Sequence, residues 1–311
     1  MTTHYNYQRL GRSAWIDVYK AIGIISVVAG HFYDECRFVF LFHMPMFFLL
    51  AGYTVNDEPM TFAYMKRKTT RLIIPYVSYF LLLMFLMFLL NGLSISSMYA
   101  YVKSFIYGGE RLNVWFGVFW FIPVYYISIL FFNLIKEKIS WLLVGVMLLL
   151  AYLLSPFKEV FNNIQVVPMA MTYMAIGYYL KPNIMRKFWF SKLTIPLCCG
   201  LLFVTPFLSQ SLYIDMKHAD YGIPIISFVV SILCSISIMV ISKSICRLTC
   251  NHIYVLSGIG GGSMTIMYMH QMLHYSLSGI LPLSISFLTA IILPLAVNLL
   301  IRRNKILSMI F

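Results

Sequence analysis

Residues 15–31 read WIDVYKAIGIISVVAGH, an apolar run of the length a membrane-crossing helix needs, interrupted only by Asp17, Lys20 and His31. Similar runs recur from Trp15 to Ile301 with short polar breaks between them. The chain has 311 residues, of which 61% are hydrophobic and 11% charged, and its mean hydropathy is +0.84. That balance excludes a water-soluble domain and leaves no room for one beside the apolar runs. We therefore expect an all-α, polytopic integral membrane protein forming a single domain over 1–311. Ten transmembrane helices are expected near 15–32, 38–55, 72–91, 114–134, 139–155, 164–181, 190–209, 221–242, 255–278 and 280–301.

Charge sets the expected orientation. With residues 1–14 in the cytoplasm, every Lys and Arg falls on the cytoplasmic side except Lys20 within the membrane and Arg37, Lys103, Arg111, Lys158 and Lys217 outside. The positive-inside rule then places both termini in the cytoplasm. The net charge of +13 is scattered over short loops rather than gathered on one face, so nucleic acid is not an expected partner. Arg9 and Arg12 precede an apolar run as in a signal peptide, but Asp17, Lys20 and the lack of a small-residue cleavage site make it the first permanent helix. The six cysteines fall in or beside apolar runs and read as packing residues, not a secreted disulfide framework. Cys246, Cys250 and His252 do not have a zinc-site spacing, and no metal is expected.

Three polar positions in the first run need a reason to be there, because ionisable side chains in a membrane must face protein or a water-filled cavity. Lys20 and His31 are eleven residues apart, about 20° past three full turns, which puts both on one helix face about 16 Å apart along its axis. The plainer alternative is an Asp17–Lys20 pair near one interface and an interfacial His31 near the other. The second run, FLFHMPMFFLLAGY (40–53), brings His43 to the depth of His31, and GGSMTIMYMHQ (261–271) brings His270 and Gln271 there, above glycines that permit close packing or unwinding. A membrane histidine can equally be a packed hydrogen-bonding residue. On the other side, KRKTTRLIIPY (66–76) places Arg67, Lys68 and Arg71 at the start of the third helix, where helix dipole and guanidinium favour phosphate. The same charges also serve topology. The loop 92–113 leads into the aromatic cluster around Trp115 and Trp120, a binding surface or an aromatic belt. No internal repeat is evident, which weighs against an inverted-repeat transporter.

Taken together, these segments resemble the acyltransferase-3 family of membrane O-acetyltransferases, in particular its fucose 4-O-acetylase-like branch. The likeness rests on Lys20 and His31 within IDVYKAIGIISVVAGH, followed by FHMPMFFLLAGY (42–53), with KRKTTR (66–71), WFGVFWFIPVYY (115–126) and SMTIMYMHQ (263–271) in support. The family's first-helix basic residue is often Arg, and its Arg-x-x-Arg pair stands here as Lys68 and Arg71. Such a resemblance implies transfer of an acetyl group from acetyl-CoA to a sugar hydroxyl of a surface polysaccharide such as O-antigen, or its lipid-linked precursor, in the bacterial inner membrane. It makes His31 the expected general base, with His43 in support, Asp17 orienting Lys20, and Arg67, Lys68 and Arg71 holding the coenzyme phosphates. Trp115, Trp120, His270 and Gln271 become the expected acceptor-binding residues. Expected partners are lipid bilayer, acyl-CoA and the glycan acceptor, and a homo-oligomer is compatible with all of this. An acyl-histidine intermediate fits as well as direct transfer. The competing class is a polysaccharide or lipid-linked sugar exporter whose charges line a path without chemistry.

Overall fold

A computed structural model describes residues 14–92, 94–181, 194–208, 211–249, 253–305 and 307–311. Arg9, Arg12, Arg186, Lys187, Lys192, Cys250 and His252 lie outside these described residues. Among the described residues there is no strand, only one antiparallel bridge between Asp215 and Asp220. The helices are α1 (Ala14–Phe32), α2 (Pro45–Tyr53), α3 (Phe62–Asn91), α4 (Ile95–Tyr107), α5 (Phe121–Ile135), α6 (Trp141–Leu154), α7 (Val167–Tyr179), α8 (Thr194–Leu208), α9 (Ile226–Leu248), α10 (Tyr254–Gly261), α11 (Ser263–Leu277), α12 (Leu283–Arg303) and α13 (Leu307–Ile310). Short 3-10 segments at Asp34–Leu41 and Val114–Trp120 run directly toward α2 and α5.

Six stretches of the described residues are long and apolar enough to cross a membrane: Ala14–Phe32, Asp34–Tyr53, Phe62–Leu89, Val114–Lys138, Ile226–Leu248 and Leu283–Arg303. α6 and α8 are shorter and apolar. Their outward faces carry exposed Leu142, Leu149, Leu153, Leu197, Phe203 and Phe207, while Leu81, Phe85, Ile292 and Leu300 project from α3 and α12. In water, so large an apolar exterior would drive aggregation; against hydrocarbon it has no such effect. The chain is a multi-pass membrane protein.

Because lipid is as apolar as the side chains, helices here associate through close packing and interhelical hydrogen bonds. At the crossing of α2 and α7, a Cβ on Gly52 would lie 1.8 Å from the Met174 carbonyl oxygen and one on Gly177 would lie 1.9 Å from that of Leu49. Backbone therefore touches backbone, and only glycine fits. Polar clasps hold the interior: Tyr19 Oη donates to the Met46 and Ser235 carbonyls, Tyr173 Oη donates to Ser231 Oγ at 3.0 Å, and Tyr79 Oη bonds Thr265 Oγ1 at 2.8 Å. Gly52→Leu is expected to force α2 off α7 at a cost of about 1–3 kcal/mol or more. A fall in thermal midpoint of the detergent-solubilised protein checks this, with Gly145→Leu, at a site where a Cβ meets no atom within 4 Å, as the unaffected control.

Three features differ from expectation. α3 starts ten residues before 72, capped by Thr61, whose hydroxyl accepts from the Tyr64 N–H. Nothing stops a helix at a membrane surface while charged side chains can leave it for water, so Arg67, Lys68 and Arg71 sit within the helix. The free N–H groups of its first turn are not beside them. The span expected at 255–278 is two helices, α10 and α11, meeting at Gly262, where glycines at 258 and 260–262 weaken the helix. The loop expected at 92–113 contains α4, whose Met98, Tyr101 and Phe105 pack inward, Phe105 stacking on Phe80 at 3.7 Å. Its Ile95, Tyr99, Val102 and Ile106 are exposed on the other face.

Candidate active site

One cavity of about 1300 Å³ runs through the bundle. One α1 stripe, Ile16, Lys20, Ile24, Val27 and His31, lines it from end to end. This is the stripe read from the eleven-residue spacing. Facing it are Phe40, His43, Met44 and Phe47 before and within α2, Trp120, Phe121 and Tyr125 around the start of α5, and Ser263, Met267 and Gln271 of α11.

At one end the lining residues are Asn56, Asp57, Arg71 and Lys181. Lys181 Nζ stands 3.7 Å from Asp57. The connection from α2 to α3 is fixed there by the buried Lys136, whose Nζ donates to the Asn56 and Glu58 carbonyls at 2.6 and 2.7 Å. Arg67 pairs with Glu58, and that hydrogen bond holds the Glu58 carboxyl below its usual range. Arg67 and Lys68 do not line the cavity; Lys68 lies over the Tyr64 ring at 5.3 Å. Of the three basic residues expected to act together, the structure brings Arg71 alone to the cavity.

Farther in, Lys20 Nζ is 3.1 Å from Asp17 Oδ1 and donates to the Gly260 carbonyl, also at 3.1 Å. Gly260 lies against the Asp17 carbonyl, a contact any Cβ would close to 1.9 Å.

The opposite end gathers the imidazoles. His43 is buried and its Nδ1–H donates to the Val39 carbonyl at 2.8 Å, which leaves Nε2 as the acceptor nitrogen. The His31 and His270 ring centres are 5.3 Å apart. His270 is fully buried and stands behind His31, off the cavity wall. Gln271 lines the cavity, and its Oε1 is buried without a hydrogen-bond partner. Trp120 lines it too, whereas Trp115 packs on Tyr275 at 5.6 Å outside it.

The profile of the acyltransferase-3 family, an acyltransferase domain, matches residues 13–303. The chain belongs to that family. No curated protein and no solved structure matches it. Membership makes this chain a membrane acyltransferase, and the matched span takes in the whole cavity wall.

Sequence reasoning on this acyltransferase missed the segment between α8 and α9. There Asp215 accepts from the His218 backbone N–H and from Nδ1–H at 2.8 Å, Asn163 Nδ2 donates to the Lys217 carbonyl at 2.8 Å, and Lys158 donates to that of His218. So held, Asp215, Lys217 and His218 face the cavity mouth. A Cβ on Gly117 would sit 2.9 Å from Gln271 Oε1 and 3.2 Å from Lys217 Nζ, so glycine there lets both polar groups approach the Val114–Trp120 segment. Burial pushes the Lys217 ammonium down, against the pull of Asp215 and Glu110. The Asp215 hydrogen bond raises His218; Asp215 itself is pushed up by burial but held lower on balance by His218. The signal was present as DMKHAD (215–220), which holds the only two carboxylate side chains after Glu159.

Proposed function

We propose that this acyltransferase moves an acetyl group from acetyl-CoA in the cytoplasm to a sugar hydroxyl of a surface polysaccharide, such as O-antigen or its lipid-linked precursor, at the outer face of a bacterial inner membrane. In this reading the chain crosses ten times with both termini inside. α6, α7, α8 and the α10–α11 pair add four crossings to the six long spans. The observation that carries the reading is a single cavity with Arg71 and Lys181 at one end, Lys20 within, and His31, His43, Gln271 and Lys217 at the other.

The cation-rich end suits the phosphates of a nucleotide thioester, and Arg71 offers bidentate hydrogen bonds to them. Apolar walls between the ends suit a long, mostly uncharged arm. At the far end His31 takes the proton of the acceptor hydroxyl as its oxygen attacks the thioester carbonyl. The tetrahedral intermediate carries its negative charge on the former carbonyl oxygen, where the Lys217 ammonium and the Gln271 amide N–H are the nearby donors. Collapse breaks the C–S bond, and His31 returns the proton to the leaving thiolate. Acceptor sugar stacks against Trp120 at the mouth.

The direct test is mass spectrometry of surface glycans from cells with and without the gene, where a difference of one acetyl unit is expected. An unchanged glycan profile, with transport of unmodified glycan lost, would overturn the reading in favour of an exporter. For the donor end, Arg71→Ala is expected to raise KM for acetyl-CoA at least tenfold, the effect of losing a charged hydrogen bond of about 1.5–3 kcal/mol, with kcat changed less. Steady-state kinetics in nanodiscs check this.

A further inference from the structure

His270 is placed unlike the other imidazoles. It is fully buried, and its Nδ1–H donates to the Ile266 carbonyl at 3.0 Å, one turn back on α11. That bond fixes the neutral tautomer with a bare lone pair on Nε2, and this Nε2 is buried with no hydrogen-bond partner. A buried acceptor without a donor is costly, so its retention calls for a donor supplied at some stage of the cycle. The His31 ring is 5.3 Å away, centre to centre, with the planes 35° apart. Two imidazoles joined by one N–H···N bond of about 2.9 Å have nearly this spacing. Forming that bond requires the His31 ring to turn toward His270.

We infer that His270 is a positioning residue whose bare Nε2 accepts the N–H of His31, presenting the other His31 nitrogen to the cavity as the base. The inference rests on the reading of His31 as general base and assigns the group that holds it. When His31 takes the hydroxyl proton it carries two N–H groups; one still points to His270 and is strengthened by the positive charge, and the other returns its proton to the thiolate. His270 gains and loses no proton in this cycle. It does what the carboxylate does behind a catalytic imidazole elsewhere, fixing tautomer and orientation, but as a neutral group compatible with membrane depth.

The groups that face His31 are His270 and His274 from α11, His43 from the segment entering α2, and Lys217 from the segment before α9; Asp215 faces His43. His274 Nδ1 is also buried without a partner, but its ring packs on Phe32 at 4.2 Å, whereas the ring of His270 lies directly against that of His31.

The test compares His270→Gln, which keeps an acceptor oxygen, with His270→Met, which fills similar volume and has none, using acetyl transfer in nanodiscs as a function of pH. His270→Met is expected to lower kcat about 10–100-fold with KM for acetyl-CoA within twofold. The midpoint of the acidic limb of kcat should move about one pH unit lower, because the charged form loses a hydrogen bond. His270→Gln is expected to keep most of the rate and the original midpoint. Equal rates and midpoints in the two variants, whether both active or both impaired, would overturn the inference. His31→Ala, assayed alongside, separates the two claims: wild-type transfer in that variant removes the base itself, whereas an inactive His31→Ala with indistinguishable Gln and Met variants removes only the role of His270.

Discussion

His31→Ala is expected to lower acetyl transfer by about 10³-fold, within the range general base catalysis contributes, while the protein still inserts and binds donor. The reason lies in where the ring sits. His31 is the penultimate residue of α1, on the cavity wall and next to His270 and Phe40, so deleting its ring widens the cavity at its mouth and leaves the packed seams of α1 against α9 and α10 intact. Monodisperse elution and a thermal midpoint within a few degrees of the parent should accompany the loss of rate. His43→Ala should cost less, since that ring is anchored to Val39 and supports the site from across the cavity. Direct transfer further requires that acetyl-CoA alone release no stoichiometric burst of free coenzyme A. A burst that disappears in His31→Ala would mean that the imidazole is acylated first. Undiminished transfer in His31→Ala would end the general-base account.

How far the sequence carried depended on the kind of regularity involved. The helical class follows from the apolar runs, and the stripe from Lys20 to His31 follows from helix periodicity alone, because eleven residues make about three turns whatever surrounds them. The Asp17–Lys20 contact is local for the same reason. What α1 faces is not a local property. That Arg71 reaches the cavity while Arg67 is held by Glu58 depends on how Lys136 fixes the connection before α3, 78 and 80 residues away in sequence. Charge in KRKTTR marks a basic cluster but does not rank its members. His270 could be placed at the right depth, but its position behind His31 rather than on the wall depends on how α11 packs against α1, which no local pattern fixes. The place of Lys217 on the cavity wall was not legible for a different reason: it lies on a connecting segment, where no periodicity assigns a face, and it is directed by the Asn163 bond to its carbonyl and the Asp215–His218 turn beside it.

Removing one member of the Asp17–Lys20 pair should destabilise the protein by about 3–5 kcal/mol, the usual cost of stranding a buried charge. The two side chains are only 10% and 16% exposed, and Lys20 also donates to the Gly260 carbonyl at the place where α1 and α10 touch through their backbones. Asp17→Leu takes the carboxylate from beside the ammonium, while Lys20→Met takes the ammonium from beside the carboxylate. Either single variant should melt well below the parent. The double variant, Asp17→Leu with Lys20→Met, strands no charge and packs apolar groups of similar volume, so its stability should return toward that of the parent. A double-mutant cycle on thermal or denaturant midpoints would then read a large coupling energy. Transfer activity separates folding from function. Lys20 lines the cavity and Asp17 does not, so if the ammonium interacts with the donor on its way to His31, the stable double variant should remain slow. Recovery of transfer together with stability would confine the pair to holding α1 against α10, and the donor path would then depend on Arg71 and Lys181 alone.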